Sequence, residues 1–114
     1  MNICFLDNSP IQYDHTYIES NKIRGAERAL INLVLELDKL GHKITVLNHI
    51  QSKTIYRNIR WINIENYHDA EYFDLAITNN DINNFNIIKS KKKVAISHSI
   101  QSIEKFIRKK QLIS

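Results

Sequence analysis

The chain has 114 residues, 43% hydrophobic and 25% charged, with a formal net charge of +4. That length allows one domain with one core and is too short for two ordinary domains, and the composition excludes a disordered chain. Its first apolar run, Ile3 to Leu6, is far short of the roughly 20 residues that cross a bilayer, and no signal peptide is expected; with a single cysteine, Cys4, read as a buried reduced thiol, the expectation is a cytoplasmic protein.

Ile3-Cys4-Phe5-Leu6 reads as a buried strand that ends in the turn formers Asp7-Asn8-Ser9-Pro10. A polar stretch without period, Gln12 to Arg24, reads as a long loop. From Gly25 to Leu40 the pattern is helical: Ala26, Leu30, Leu33, Leu37 and Leu40 make one apolar stripe, widened by Ala29 and Val34. Glu27 suits the first turn and Lys39 the last, and Gly41 suits a left-handed C-terminal cap. Lys43 to Leu47 follows as a second strand, which makes a βαβ unit with parallel strands.

Further strands are expected at Trp61–Ile64, Phe73–Thr78 and Lys93–Ser97. Asp81 can cap a short helix bearing Ile82, Phe85 and Ile88, and Ser99 or Ser102 can cap a last helix bearing Ile103, Phe106 and Ile107. Alternation of this kind predicts an α/β fold, a Rossmann-like doubly wound parallel sheet with helices on both faces.

In such a sheet ligands bind beyond the carboxyl ends of the strands. That rule selects Asp7 to Pro10, Asn48-His49, Thr78 to Asp81 and Ser97-His98-Ser99. The N-terminus of the first helix lies at the same edge, where free N–H groups and the dipole attract anions. Arg24 either adds a forked cation there or points to water, and Gly25 either admits a ligand or only eases the chain into the helix. His98, between a strand and a helix start, can titrate near neutral pH and hydrogen-bond a ligand, or serve as a surface cap. His42, after the helix-ending glycine, is read as a surface residue. No histidine or cysteine spacing suits a metal, and none is expected. The only glycines are Gly25 and Gly41, which excludes the dinucleotide fingerprint and the Walker A loop. Lys91-Lys92-Lys93 and Arg108-Lys109-Lys110 are either solvated surfaces or points of attraction to an anionic surface; no aromatic residues interleave them, so nucleic acid is an unlikely partner.

Arg24-Gly25-Ala26-Glu27-Arg28, continued through Leu40-Gly41-His42 into Lys43–Leu47, resembles the first βαβ unit of family 4 glycosyltransferases, which have the GT-B fold. Met1 to Ser9 resembles that family's opening strand and polar loop, and Val94 to Ser99 resembles its strand ending in a histidine. The resemblance implies retaining transfer of a sugar from a nucleotide-sugar to a glycan or lipid-linked acceptor, with no cofactor. It implies that Gly25 lets the backbone approach the donor diphosphate and that the helix start stabilises the leaving group. Arg24 stands where the family usually has a first glycine, so its side chain either crowds the phosphates or binds them. On the same reading His98 orients the acceptor or contacts the sugar, Asn8 to Arg24 form a mobile acceptor loop, and Asn8, Ser9, Ser97 and Ser99 hold the acceptor. Residues 1–114 then correspond to an incomplete N-terminal half of a GT-B enzyme. The C-terminal donor domain is expected from further sequence or a partner chain, and the isolated chain is expected to be inactive. The expected site of action is the cytoplasm, with peripheral attraction to the anionic inner membrane surface. The alternative expectation is a stand-alone, non-catalytic α/β binding module.

Overall fold

A computed structural model of the chain describes residues 1–79 and 85–96. Its centre is the first strand, β1 (Asn2–Leu6), where side chains alternate between two buried faces. Ile3 and Phe5 enter one apolar cluster, and Cys4 and Leu6 enter the other. Both faces are covered, which is why the run is continuously apolar. Helix α1 (Gly25–Lys39) leads to β2 (Lys43–Asn48), which lies beside β1 and parallel to it, with Ile3 opposite Ile44 and Leu6 opposite Leu47.

Helix α1 ends in a Schellman motif. His42 N–H donates to Leu37 O at 3.1 Å and Gly41 N–H to Asp38 O at 2.9 Å. Gly41 adopts φ 90°, a left-handed conformation that glycine takes without strain. The buried face of α1 is turned by about one residue from the expected stripe: Ala26 and Leu40 are exposed, and Glu27, Ile31, Val34 and Asp38 form its central line. Carboxylates at both ends of that line disguise it in the sequence. Each is buried because it has backbone to bond: Glu27 accepts from Arg24 N–H at 2.9 Å, and Asp38 from Asn58 N–H at 3.1 Å.

Four more strands complete a six-stranded sheet, β3 (Thr54–Tyr56), β4 (Ile59–Asn63), β5 (Tyr72–Asn79) and β6 (Lys89–Ile96), in the order β3-β4-β2-β1-β5-β6. Only the β3–β4 pair is antiparallel. Along the chain the parallel strands are added outward from β1 through β2 to β4, and then on the other side of β1 as β5 and β6. Strand addition thus changes side at β1.

The structure corrects several expectations. Strand β3 is not among the expected strands; β4 begins two residues and ends one residue before the expected Trp61–Ile64, and β6 begins at Lys89 rather than Lys93. His42 is buried, with its Nδ1 2.8 Å from the N-terminal amine of Met1. Among the described residues α1 is the only α-helix, and it covers one face with Ile31, Leu33, Val34 and Leu37. The other face is covered by the 3-10 turn Ile64–Asn66, by Tyr67 and by Ile88. The sheet is therefore α/β and mostly parallel, and among the described residues its one α-helix lies on a single face. The expected helices after Asp81 and after Ser99 or Ser102 begin outside the described residues. No helix among the described residues is long and apolar enough to cross a membrane.

Candidate functional site

The carboxyl ends of the five mutually parallel strands form one edge of the sheet, and the polar groups found there come from the turns that follow. Asp7 directly follows β1 and is 4% exposed. Its backbone N–H donates to Leu47 O at 2.9 Å and extends the β1–β2 ladder. A carboxylate so buried needs donors. Tyr13 Oη donates to Oδ2 at 2.6 Å, and Ser9 N–H to Oδ1 at 3.0 Å. Burial, and then the charge of Asp7, push the Tyr13 phenol well above its ordinary range, so it remains protonated and able to donate.

Tyr13 is the plug of this edge. It is fully buried, its ring meets Trp61 edge-on at 5.8 Å, and its carbonyl accepts from Asn48 Nδ2 at 2.8 Å. Asn48, at the end of β2, also accepts from Ile50 N–H at 3.0 Å, and Asn63, at the end of β4, donates to Ile50 O at 2.9 Å. The strand-end asparagines thus satisfy backbone that turns away from the sheet. The segment from Asn8 to Arg24, expected to be a mobile acceptor loop, is anchored along its length. Tyr13 and Ile23 lie in the core, the carboxylate of Asp14 caps the turn His15–Tyr17, and Arg28 donates to Ile18 O at 3.0 Å and Ser20 O at 2.8 Å.

At the start of α1, Arg24 and Glu27 form a closed pair. Arg24 Nε and Nη2 donate to the two Glu27 oxygens at 3.0 and 2.9 Å, and Arg24 N–H also donates to Oε1. The backbone bond is one half of a capping box. Burial alone would push the Glu27 carboxyl up; the hydrogen bonds and charge of Arg24 outweigh it, and the group sits below its ordinary value. The Arg24 side chain is 63% exposed, so its remaining N–H groups face solvent. In front of Gly25 the space is open: a Cβ there would meet nothing within 4 Å. The hydrogen bonds and charge of Glu27 hold the Arg24 guanidinium above its ordinary value, and the Asp7 carboxylate after β1 adds to the effect.

Of the expected site residues, Asn8, Ser9, Arg24 and Gly25 share this edge. Asn8 Oδ1 accepts from His49 Nε2 at 2.8 Å, while the Ser9 hydroxyl is buried without a partner among the described residues. Ser97, His98 and Ser99 lie outside the described residues. Sequence reasoning missed Tyr13, Glu27 and Arg28 as organisers of the edge. The available signal was the set of apolar residues Tyr13, Tyr17, Ile18 and Ile23 within a stretch read as polar. No three His, Cys, Asp or Glu side chains among the described residues converge as a metal site. The chain matches no protein-family model, no curated protein and no solved structure.

Proposed function

We propose that the chain is the acceptor-side, N-terminal part of a retaining glycosyltransferase of the GT-B kind, with a doubly wound, Rossmann-like sheet. The observation that carries this reading is a coincidence of place. The Arg24-Gly25-Ala26 helix start, with open space before Gly25, stands at the carboxyl edge next to the turn after β1. Strand addition changes side at β1, as a doubly wound sheet requires, and such sheets take their ligands at that switch point. In the proposed reaction the bond from the sugar's anomeric carbon to the nucleotide diphosphate breaks, a bond from the same carbon to an acceptor hydroxyl oxygen forms with retained configuration, and the hydroxyl proton passes to the departing diphosphate. Arg24 and the N–H groups of the helix start stabilise the diphosphate as it leaves. Asn8, Ser9, Ser97 and Ser99 hold the acceptor, and His98 orients it. The cleft is completed by a donor domain in further sequence or in a partner chain, and the exposed lysines of β6 give peripheral attraction to anionic lipid.

The test is a titration of the ¹⁵N-labelled chain with inorganic pyrophosphate, which stands in for the donor's diphosphate. The expected result is a set of shifts centred on Arg24, Gly25 and Ala26, weakened in Arg24→Ala. Shifts elsewhere, or none, would remove the phosphate-binding role. One observation favours a second reading, a non-catalytic α/β binding module: the Glu27 carboxylate already occupies the helix start and engages Arg24. A chain indifferent to pyrophosphate, together with a native-length protein that transfers no sugar from a panel of nucleotide-sugars, would select it.

A further inference from the structure

Two buried polar atoms lie in one aromatic cluster without a hydrogen-bond partner among the described residues. Trp61 is fully buried, yet its Nε1 has no acceptor; His15 Nδ1 is buried and likewise unpartnered. An unsatisfied buried donor costs about 1–3 kcal/mol, and native proteins rarely leave one so. The rings that carry these atoms are neighbours, with centroids 6.4 Å apart and planes inclined by 31°. His15 also stacks on Tyr56 at 4.2 Å, and Tyr13 closes the other side against Trp61. The cluster joins three pieces of the fold: the segment after β1, the edge strand β3, and β4.

We propose that Trp61 and His15 share one internal water, which latches the segment after β1 to the β3–β4 hairpin. Trp61 Nε1–H donates to the water, and the water donates to His15 Nδ1. A single bridging molecule satisfies both atoms, and buried waters typically make about three such bonds. The bridge has a chemical consequence. With the water's hydrogen directed at Nδ1, that nitrogen accepts, and neutral His15 carries its proton on Nε2. The ring stack alone favours neither tautomer, since it engages the π faces and not the nitrogens. The proposal is independent of any sugar-transfer role.

The experiment is NMR on the intact ¹⁵N-labelled chain at a pH where His15 is neutral. Long-range proton–nitrogen correlations are expected to report the Nε2–H tautomer of His15, and the Trp61 indole proton to show a cross-peak to a long-lived water. His15→Phe keeps a ring on Tyr56 and removes the acceptor, so the water cross-peak is expected to disappear while Trp61 remains in the core. An Nδ1–H tautomer, no water contact at the indole, or a contact unchanged in His15→Phe would each overturn the bridge. The tautomer and the wild-type cross-peak decide the matter even if the variant fails to fold.

Discussion

At residue scale, burial has converted several ionisable side chains into structural parts, and His42 gives the sharpest consequence. Its ring nitrogen Nδ1 sits 2.8 Å from the Met1 amine, where it must accept a hydrogen bond. Burial, and then the positive N-terminus, hold its pKa below the ordinary 6.5. The unfolded chain therefore takes up a proton first as pH falls. Stability is complete above about 6.5 and declines as pH drops through the lower folded value. Glu27 and Glu71 act in a lower window. Burial raises both, but Arg24 for one and Arg60 with Asn2 for the other bring them below the ordinary carboxylate value. Their contribution is complete above that value and is lost as pH falls through the depressed one. Urea midpoints should thus fall in two stages, first as pH drops below about 6.5 and again below about 4.3. His42→Asn, which keeps an acceptor for the amine but cannot titrate, should flatten the first stage only. A first stage unchanged in that variant would place the titration elsewhere.

At element scale the two glycines separate conformational need from open space. Gly41 has φ 90° with nothing within 4 Å of an added Cβ, so Gly41→Ala meets backbone strain alone and should cost about 1–2 kcal/mol in chemical unfolding. Gly25 has no such φ and equally open space. Gly25→Ala should leave stability unchanged or raise it by up to about 1 kcal/mol. If the same change weakens pyrophosphate binding, the glycine is retained for close approach of a ligand; equal destabilisation by both changes would refute the distinction. These elements were legible because their signals are local. The glycine after Leu40 fixed the end of α1, and continuous apolar runs marked β1 and β2. Strand β3 escaped because Thr54-Ile55-Tyr56 is short and Ile55 is 63% exposed, so no apolar pattern forms. The start of β6 escaped because its lysines are solvated, and an edge strand tolerates charges that a central strand does not.

At the scale of the molecule, the carboxyl edge followed from parallel topology, whereas its occupant did not. Nothing in the spacing of Asp7 and Tyr13 says that the loop folds back to place a phenol on the strand-end carboxylate; that contact depends on the sheet already being formed. Charge is legible directly, and it bears on where the molecule would rest. The chain carries a net +4, and Lys89, Lys91, Lys92 and Lys93 are all exposed on β6, at one edge of the sheet. Tyr72, opposite Lys89, is 60% exposed, and Ile87 is 39% exposed, so apolar side chains adjoin the basic strand. Each lysine near an anionic lipid surface contributes about 1 kcal/mol, enough together for weak association. The attraction reaches about 30 Å at 0.01 M salt and about 3 Å at 1 M. Vesicles containing anionic lipid should therefore retain the chain in sedimentation at about 0.01 M salt and release it near 1 M, and neutral vesicles should not retain it at either. Replacing Lys91, Lys92 and Lys93 by Gln should reduce the low-salt retention without changing the fold. If anionic vesicles fail to hold the chain even at low salt, the lysines serve only to keep the sheet edge from pairing with another strand.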